Sequence, residues 1–459
     1  MLYSAPLPYH ADACAYFAAI RDMAWPAWLD SSGCGRYDIL SAAPAATVVT
    51  RGGITEISNA DGVYRHDGDP NEALRELMGE PIAPMPGIPF AGGVLGYWSY
   101  DLARRYHHIP DIARDDEALP EMAVGIYDWA IIVDHQELNA RLLSRLRDAG
   151  TERTLEQVLG KLNSAKPDVP QGERLKVRGE VASNFTPASY RAAFTAVKDY
   201  LHEGDCYQVN LAQRFSAPAT GDAYPAYLEL RRTSPAPWSA FLDWPQAQIL
   251  CASPERFLRV QHGLVQTKPI KGTRPRSADA AEDARLKEDL RNHPKDRAEN
   301  LMIVDLLRND LGKCCEPGSV QTTRLFEVES YANVHHLVST IEGRLQNGKT
   351  ALDLLRECFP GGSITGAPKL RAMEIIEQLE PQRRGIYCGA IGYIGYDGAM
   401  DTNIAIRTLV YSNGVMRCWA GGGIVADSTC EAEYQETRDK AKAMLELLGR
   451  FGGGCCNVG

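Results

Sequence analysis

A lysine set between an isoleucine and a glycine, in Pro269-Ile270-Lys271-Gly272-Thr273, is the residue of this chain best suited to covalent chemistry. The glycine lets backbone and ligand approach closely. Lysine attacks only as the neutral amine, so its site must depress a pKa that normally lies near ~10.4, by burial or by neighbouring positive charge. Lys268, Arg274 and Arg276 are the nearest cations in sequence. Upstream, 255–260 and 264–268 read as two strands joined at His262-Gly263, a two-residue hairpin turn. Pairing outward from that turn sets Glu255 opposite Ile270 and diagonal to Lys271, so an acid and an amine share one hairpin mouth. A surface ion pair at a loop would use the same two residues.

Further along, Glu299, Glu433 and Glu436 are hard oxygen donors on two expected helices and suit Mg²⁺ with retained waters; solvated helix faces would carry the same residues. Arg407 and Lys440, the latter one helical turn after Glu436, could clamp substrate carboxylates. Gly361-Gly362-Ser363-Ile364-Thr365-Gly366-Ala367-Pro368-Lys369 is not a nucleotide phosphate loop, because Ala367-Pro368 separate the last glycine from the lysine. It reads instead as a glycine-rich turn feeding a helix over 368–379, whose free amides would favour a carboxylate or oxyanion; an ordinary helix cap is the alternative. Gly421-Gly422-Gly423, after a strand, suggests close backbone approach to a ligand or a flexible turn.

These residues need a large scaffold, and 459 residues provide one. The first half alternates strand-like runs (36–40, 46–50, 123–133) with helical ones (71–78, 154–162). A Pro- and Gly-containing stretch, 163–183, reads as a linker, giving an N-terminal domain 1–162, a catalytic domain 184–450 and a flexible tail 451–459. Helices are expected over 187–203 and 295–311, with strands over 208–215 and 239–243. Runs 387–396, 401–411 and 415–420, punctuated by Asp397-Gly398 and Asn413-Gly414, read as a three-strand antiparallel meander. The net charge of −10 includes no basic stripe, so nucleic acid is not an expected partner. No apolar run is long enough to span a membrane, and the N-terminus carries no secretion signal, so the cytoplasm is the expected location. Twelve cysteines without a Cys-x-x-Cys, and histidines without helical i, i+4 spacing beside an acid, read as reduced thiols and no zinc site.

Taken in order, Ser253-Pro-Glu255-Arg-Phe, Pro269-Ile-Lys271-Gly-Thr, Asp296-Arg-Ala-Glu299-Asn, Asp305-Leu-Leu-Arg308-Asn309-Asp310, His336-Leu-Val-Ser, Gly366-Ala-Pro-Lys369 and Gly423-Ile-Val-Ala-Asp427-Ser resemble the motifs of the chorismate-utilising enzymes. The resemblance covers nearly the whole chain. It implies an α+β fold in which two mostly antiparallel sheets pack face to face with helices outside. Within the family the chain is most similar to the branch that aminates chorismate, since anthranilate synthases usually carry alanine at the position of Lys271. Isochorismate-forming relatives usually carry a water-activating lysine where this chain has Gln208. The implied reaction is chorismate plus ammonia to 4-amino-4-deoxychorismate, for 4-aminobenzoate and folate synthesis, through a Lys271 adduct at C2 with Glu255 as the proton donor. The resemblance further implies Mg²⁺ held by Glu299 and Glu436, and His336 and Ser363 near the C4 substituent and ring carboxylate. Tyr387, Arg407, Gly423 and Lys440 would lie around the enolpyruvyl carboxylate and substrate periphery. Ammonia would come from a separate glutamine amidotransferase subunit, because Gly33-Cys34-Gly35 lacks the context of a nucleophile elbow. Ser32, Arg36 and Tyr37 fall where relatives hold tryptophan. Two alternatives stand beside this reading: an anthranilate synthase component I, which would release pyruvate, and a silent docking or regulatory subunit, which would have no need of Lys271, Glu255, Glu299 and Glu436 together.

Overall fold

The computed structural model describes residues 2–164 and 173–452, so the middle of the expected linker, 165–172, and nearly all of the expected tail, with Cys455-Cys456, lie outside the described residues, while the rest of the expected linker includes two short strands, Lys176–Val177 and Ala182–Ser183. Two sheets of 13 and 12 strands carry the fold, and every pairing between their named strands is antiparallel. Both sheets mix strands from either side of the expected linker. In the first, Ala27–Asp30 pairs with Trp238–Trp244; in the second, Gly93–Trp98 pairs with Ala390–Gly395. Between the sheets lies a core that includes Val94, Trp98, Leu242, Ile249, Tyr387 and Ile404. On the outer face of the first sheet, Phe17, Trp28, Tyr227 and Phe241 pack beneath helices Cys14–Ile20, Tyr224–Thr233 and Cys430–Arg450.

Two apolar runs are divided between the sheets. The run 123–133 is two strands, Met122–Tyr127 in the second sheet and Trp129–Asp134 in the first. The corner is Asp128, whose buried carboxylate accepts from Arg147 N at 2.7 Å, Asp148 N at 3.0 Å and Thr151 Oγ1 at 2.7 Å. The expected meander is likewise two hairpins in different sheets: Met400–Asn403 pairs with Ala390–Gly395, whereas Thr408–Ser412 pairs with Val415–Ile424. Asn403 fixes the exit, donating to Trp238 O at 2.8 Å and accepting from Ile391 N at 2.9 Å. The crossing ends at Arg407, with φ of 52°, left-handed backbone that a non-glycine residue adopts only where its surroundings enforce it.

Helices follow their end signals. Pro187–Glu203 begins with a Thr186/Ser189 capping box and ends at left-handed Gly204, and Pro294–Gly312 begins with its proline. Ala280–Asn292, started by the Asp279 side chain, was not anticipated; its charged surface carries little periodic apolar signal, and only Leu290 is buried.

Candidate active site

The His262-Gly263 turn forms as expected, joining Arg256–Gln261 to Leu264–Lys268 with both turn residues at positive φ. The expected pairing of Glu255 with Ile270 does not form. A bulge between Arg256 and Arg259 shifts the register so that Arg256 faces Lys268, and Ile270–Pro275 turns away to pair with Val334–Arg344. Glu255 nevertheless reaches Lys271, because its buried carboxylate accepts from Ile270 N and lies beside the ammonium. Gly272 has φ of 80°, and a Cβ there would lie 2.8 Å from Asp296 Cγ and 2.9 Å from Leu290 Cδ1. Only glycine lets the lysine strand sit this close to the two helices.

Burial drives the titration of both groups. It pushes Glu255 from 4.5 to about 7, against the opposing effects of the Ser363 hydroxyl, Lys271, Ile270 N and Lys440. It pushes Lys271 below its ordinary value; Glu299 opposes this, Lys440 adds to it, and Glu255 and Glu436 oppose it. The cations expected to act on Lys271 are engaged elsewhere. Lys268 binds Glu329, Arg274 binds Asp289 at 2.7 Å, and Arg276 binds Asp283 at 2.8 Å, while Lys440, 169 positions away in sequence, supplies the like charge.

His336 stands opposite Thr273 across the sheet, with Nδ1 2.9 Å from Thr273 Oγ1. Burial, and then the Arg407 cation, lower its pKa to about 4, so the imidazole is neutral near pH 7. Burial also lowers Arg407, which has Tyr387 as its charge neighbour, and the Tyr387 ring stacks on Trp419 with centroids 6.0 Å apart and planes 5° off parallel. Ser363, in the short turn Gly362–Ile364, contacts Glu255. The glycine-rich loop has a packing role: Gly366 lies against Gln208 O, and Lys369 is pinned by Asp310 at 2.6 Å and Cys358 O at 2.6 Å.

The Gly421-Gly422-Gly423 segment lies where strand Val415–Ile424 passes the last helix. A Cβ on Gly423 would fall 2.2 Å from Gln208 Nε2, and both amide atoms of buried Gln208 lack protein partners. On the opposite face, a Cβ on Gly422 would meet Glu433 Oε2 at 2.9 Å and Glu436 Oε1 at 3.4 Å. The link between these glycines and Gln208 or the carboxylates has one signal in the sequence, the alternation of faces along the strand.

Glu299, Glu433 and Glu436 form the acidic side of the cluster. Lys295 lies 3.9 Å from Glu299 and 3.7 Å from Glu433, and Lys440 lies 2.6 Å from Glu436 and 3.1 Å from Gly421 O. Burial raises Glu299 and Glu433, with mutual repulsion among the carboxylates adding to it. At Glu436 burial is outweighed by Lys440, and the pKa falls below its usual value. Among the described residues no group of three or more His, Cys, Asp or Glu side chains is placed to hold a metal ion by itself. Magnesium does not require one, since it keeps several waters and takes one or two carboxylates together with ligand oxygens. Glu433 Oε2, buried and without a partner, and Glu436 Oε1, which carries the Lys440 ion pair, both lie against Gly422, and carboxylate oxygens of this kind are donors that suit a hard cation.

The residues singled out at the N-terminus lie in a separate region. Ser32, at φ of 48°, bonds to Asp30 through N at 2.6 Å and Oγ at 3.2 Å; Arg36 grips Asp134 at 2.8 Å; Tyr37 donates to Gly87 O at 3.1 Å. Arg36 and Tyr37 line a cavity of about 680 Å³ together with Trp238, Tyr393 and Met400; Ser32 does not line it. Burial raises the Cys34 thiol on its wall, the opposite of an activated nucleophile. The ten described cysteines are all free.

A family model described as chorismate binding enzyme matches residues 26–446. The chain is 47% identical over 450 residues to aminodeoxychorismate synthase component 1 of Klebsiella aerogenes, covering 96% of this chain and 98% of that one. It is 42% identical over 396 residues to anthranilate synthase component 1 of Thermus thermophilus, covering 84% and 86%. The crystal structure of anthranilate synthase component I from Streptococcus pneumoniae TIGR4 superposes with a TM-score of 0.80 at 36% identity, over 90% of this chain and 92% of that one.

Proposed function

The chain belongs to the chorismate binding enzymes, and from that premise we propose that it aminates chorismate at C4 with ammonia, giving 4-amino-4-deoxychorismate for 4-aminobenzoate and folate synthesis. The observation that carries this reading is the pair Glu255 and Lys271, a protonatable acid beside an amine of lowered pKa. Neutral Lys271 attacks C2 of the ring, both ring double bonds shift by one position towards C4, and the C4–O bond breaks. Protonated Glu255 gives its proton to the departing oxygen, which leaves as water. Ammonia then bonds to C4, both double bonds shift back, the C2–N bond breaks to release Lys271 as the amine, and the new C4 ammonium returns a proton to the Glu255 carboxylate. No proton is taken from C2, so the enolpyruvyl ether is retained and no pyruvate forms.

Arg407, Lys440 and the Gly423 backbone bind and orient the substrate periphery, Tyr387 supports them, and neutral His336 stands near the C4 substituent. Glu299 and Glu436, with Glu433, would hold Mg²⁺, which supplies positive charge against the ring carboxylate. Lys440 serves a second purpose as the like charge that helps lower the Lys271 pKa. A separate glutamine amidotransferase chain would supply the ammonia; a relative's name, component 1, supports a partner. The cavity beside Arg36 and Tyr37 would take tryptophan. A cytoplasmic setting suits ten free cysteines, and among the described residues no helix is long and apolar enough to cross a membrane.

Incubation with chorismate, Mg²⁺ and ammonium, followed by mass spectrometry beside Lys271→Ala, tests the reaction. Aminodeoxychorismate without pyruvate, lost in the variant, is expected; anthranilate with pyruvate would replace this reading with that of an anthranilate synthase.

A further inference from the structure

We propose that Lys198 is a positioning residue that holds the Glu433 carboxylate in place through the turn 425–428; the inference rests on the reading that Glu433, with Glu299 and Glu436, faces Mg²⁺. Lys198 projects from helix Pro187–Glu203 and forms no ion pair among the described residues. Its ammonium is instead surrounded by three backbone carbonyls, those of Ala426, Ser428 at 3.2 Å and Val425 at 3.5 Å. An ammonium has three N–H donors, and each meets one carbonyl of the same turn.

That turn joins the Gly421–Gly423 strand to the helix that carries Glu433, Glu436 and Lys440. Helix Cys430–Arg450 begins without a side-chain cap from Thr429, so the turn lacks the usual local device that fixes a helix start. Within the turn, Ser428 Oγ accepts from Val425 N at 3.1 Å and donates to Glu433 Oε1 at 2.6 Å. Its single proton is committed to Glu433, which occupies one carboxylate oxygen and leaves buried Oε2 facing Gly422 without a partner. The order of constraint runs from the Lys198 ammonium to the turn carbonyls, to Ser428, to the free oxygen of Glu433. Without the ammonium, the three carbonyls lose the one side chain that ties them together, and the exposed Ala426 O is left to water. The turn relaxes, and Ser428 no longer fixes the rotamer of Glu433.

Outer partners of metal-binding carboxylates typically contribute 10–100-fold to affinity. Binding of Mn²⁺ to the whole chain, measured by electron paramagnetic resonance without chorismate, reads this out independently of turnover. Lys198→Met is expected to weaken Mn²⁺ binding by about tenfold. Ser428→Ala should weaken it similarly while leaving Lys198 in place, which keeps the test available if Lys198→Met fails to fold. Lys198→Arg should recover part of the loss. In a Glu433→Gln background, Lys198→Met should add nothing, because the group it positions is already gone. A wild-type chain that binds no Mn²⁺ would overturn the metal reading itself. Wild-type binding that Lys198→Met leaves unchanged, or a loss that persists at full size in Glu433→Gln, would overturn the role of Lys198 alone.

Discussion

Ser363→Ala should move the pH dependence of amination in a direction set by one hydrogen bond. The Ser363 hydroxyl contacts the Glu255 carboxylate and is, after burial, the largest influence on it, lowering a pKa that burial has raised to about 7. A hydrogen bond to a charged group contributes roughly 1.5–3 kcal/mol, so its loss should raise the Glu255 pKa by about one to two pH units. With a rise of about one, the protonated fraction at pH 8 goes from about 9% to about 50%, roughly a fivefold gain in the acid form that protonates the leaving oxygen. The assay is kcat/KM for chorismate with saturating ammonium between pH 5.5 and 9.5, which reports the free enzyme. The inflection near 7 should shift upward whether Lys271 titrates above or below Glu255, because removing a contact that favours the Glu255 carboxylate raises the apparent value of the interacting pair. Any fall in the overall rate from weaker substrate contact changes the height of the profile and leaves the inflection in place. An inflection that stays near 7, or moves down, would refute the role given to the Ser363–Glu255 contact.

Glu255→Gln should abolish amination yet stabilise the fold at alkaline pH. A carboxyl whose folded pKa is raised contributes stability fully present below 4.5 and lost as pH rises through about 7; the rise corresponds to about 3 kcal/mol, so denaturant unfolding at pH 8 should show the variant more stable by that order and nearly equal to wild type at pH 4.5. Gly423→Ala should raise the KM for chorismate at least tenfold with little change in melting temperature, since its Cβ would displace the Gln208 amide at 2.2 Å; an unchanged KM in steady-state kinetics would remove Gly423 from the substrate site. Isothermal calorimetry should detect tryptophan binding that Tyr37→Ala weakens, whereas no heat with excess tryptophan would sink the proposal for the cavity beside Arg36.

The local features of this molecule were legible because local signals decide them. His262-Gly263 closes its hairpin with two turn residues at positive φ, and Thr186 with Ser189, or Pro294, starts a helix from neighbouring residues alone. The motif order carried the family and its two-sheet fold. Sequence left undecided which sheet receives each strand, because an apolar run such as 122–134 looks alike whether it is one strand or two. The buried carboxylate of Asp128, one oxygen of which accepts from partners about twenty residues later, makes the corner. Register was equally invisible: one bulge at Arg256 removes the expected Glu255–Ile270 pairing, yet the carboxylate still reaches the lysine. Above all, the residue types at 255 and 271 name an acid and an amine without fixing their charge. That is decided by burial and by Lys440 and Ser363, brought from distant parts of the chain, because solvation and charge depend on distances in space that residue order does not specify.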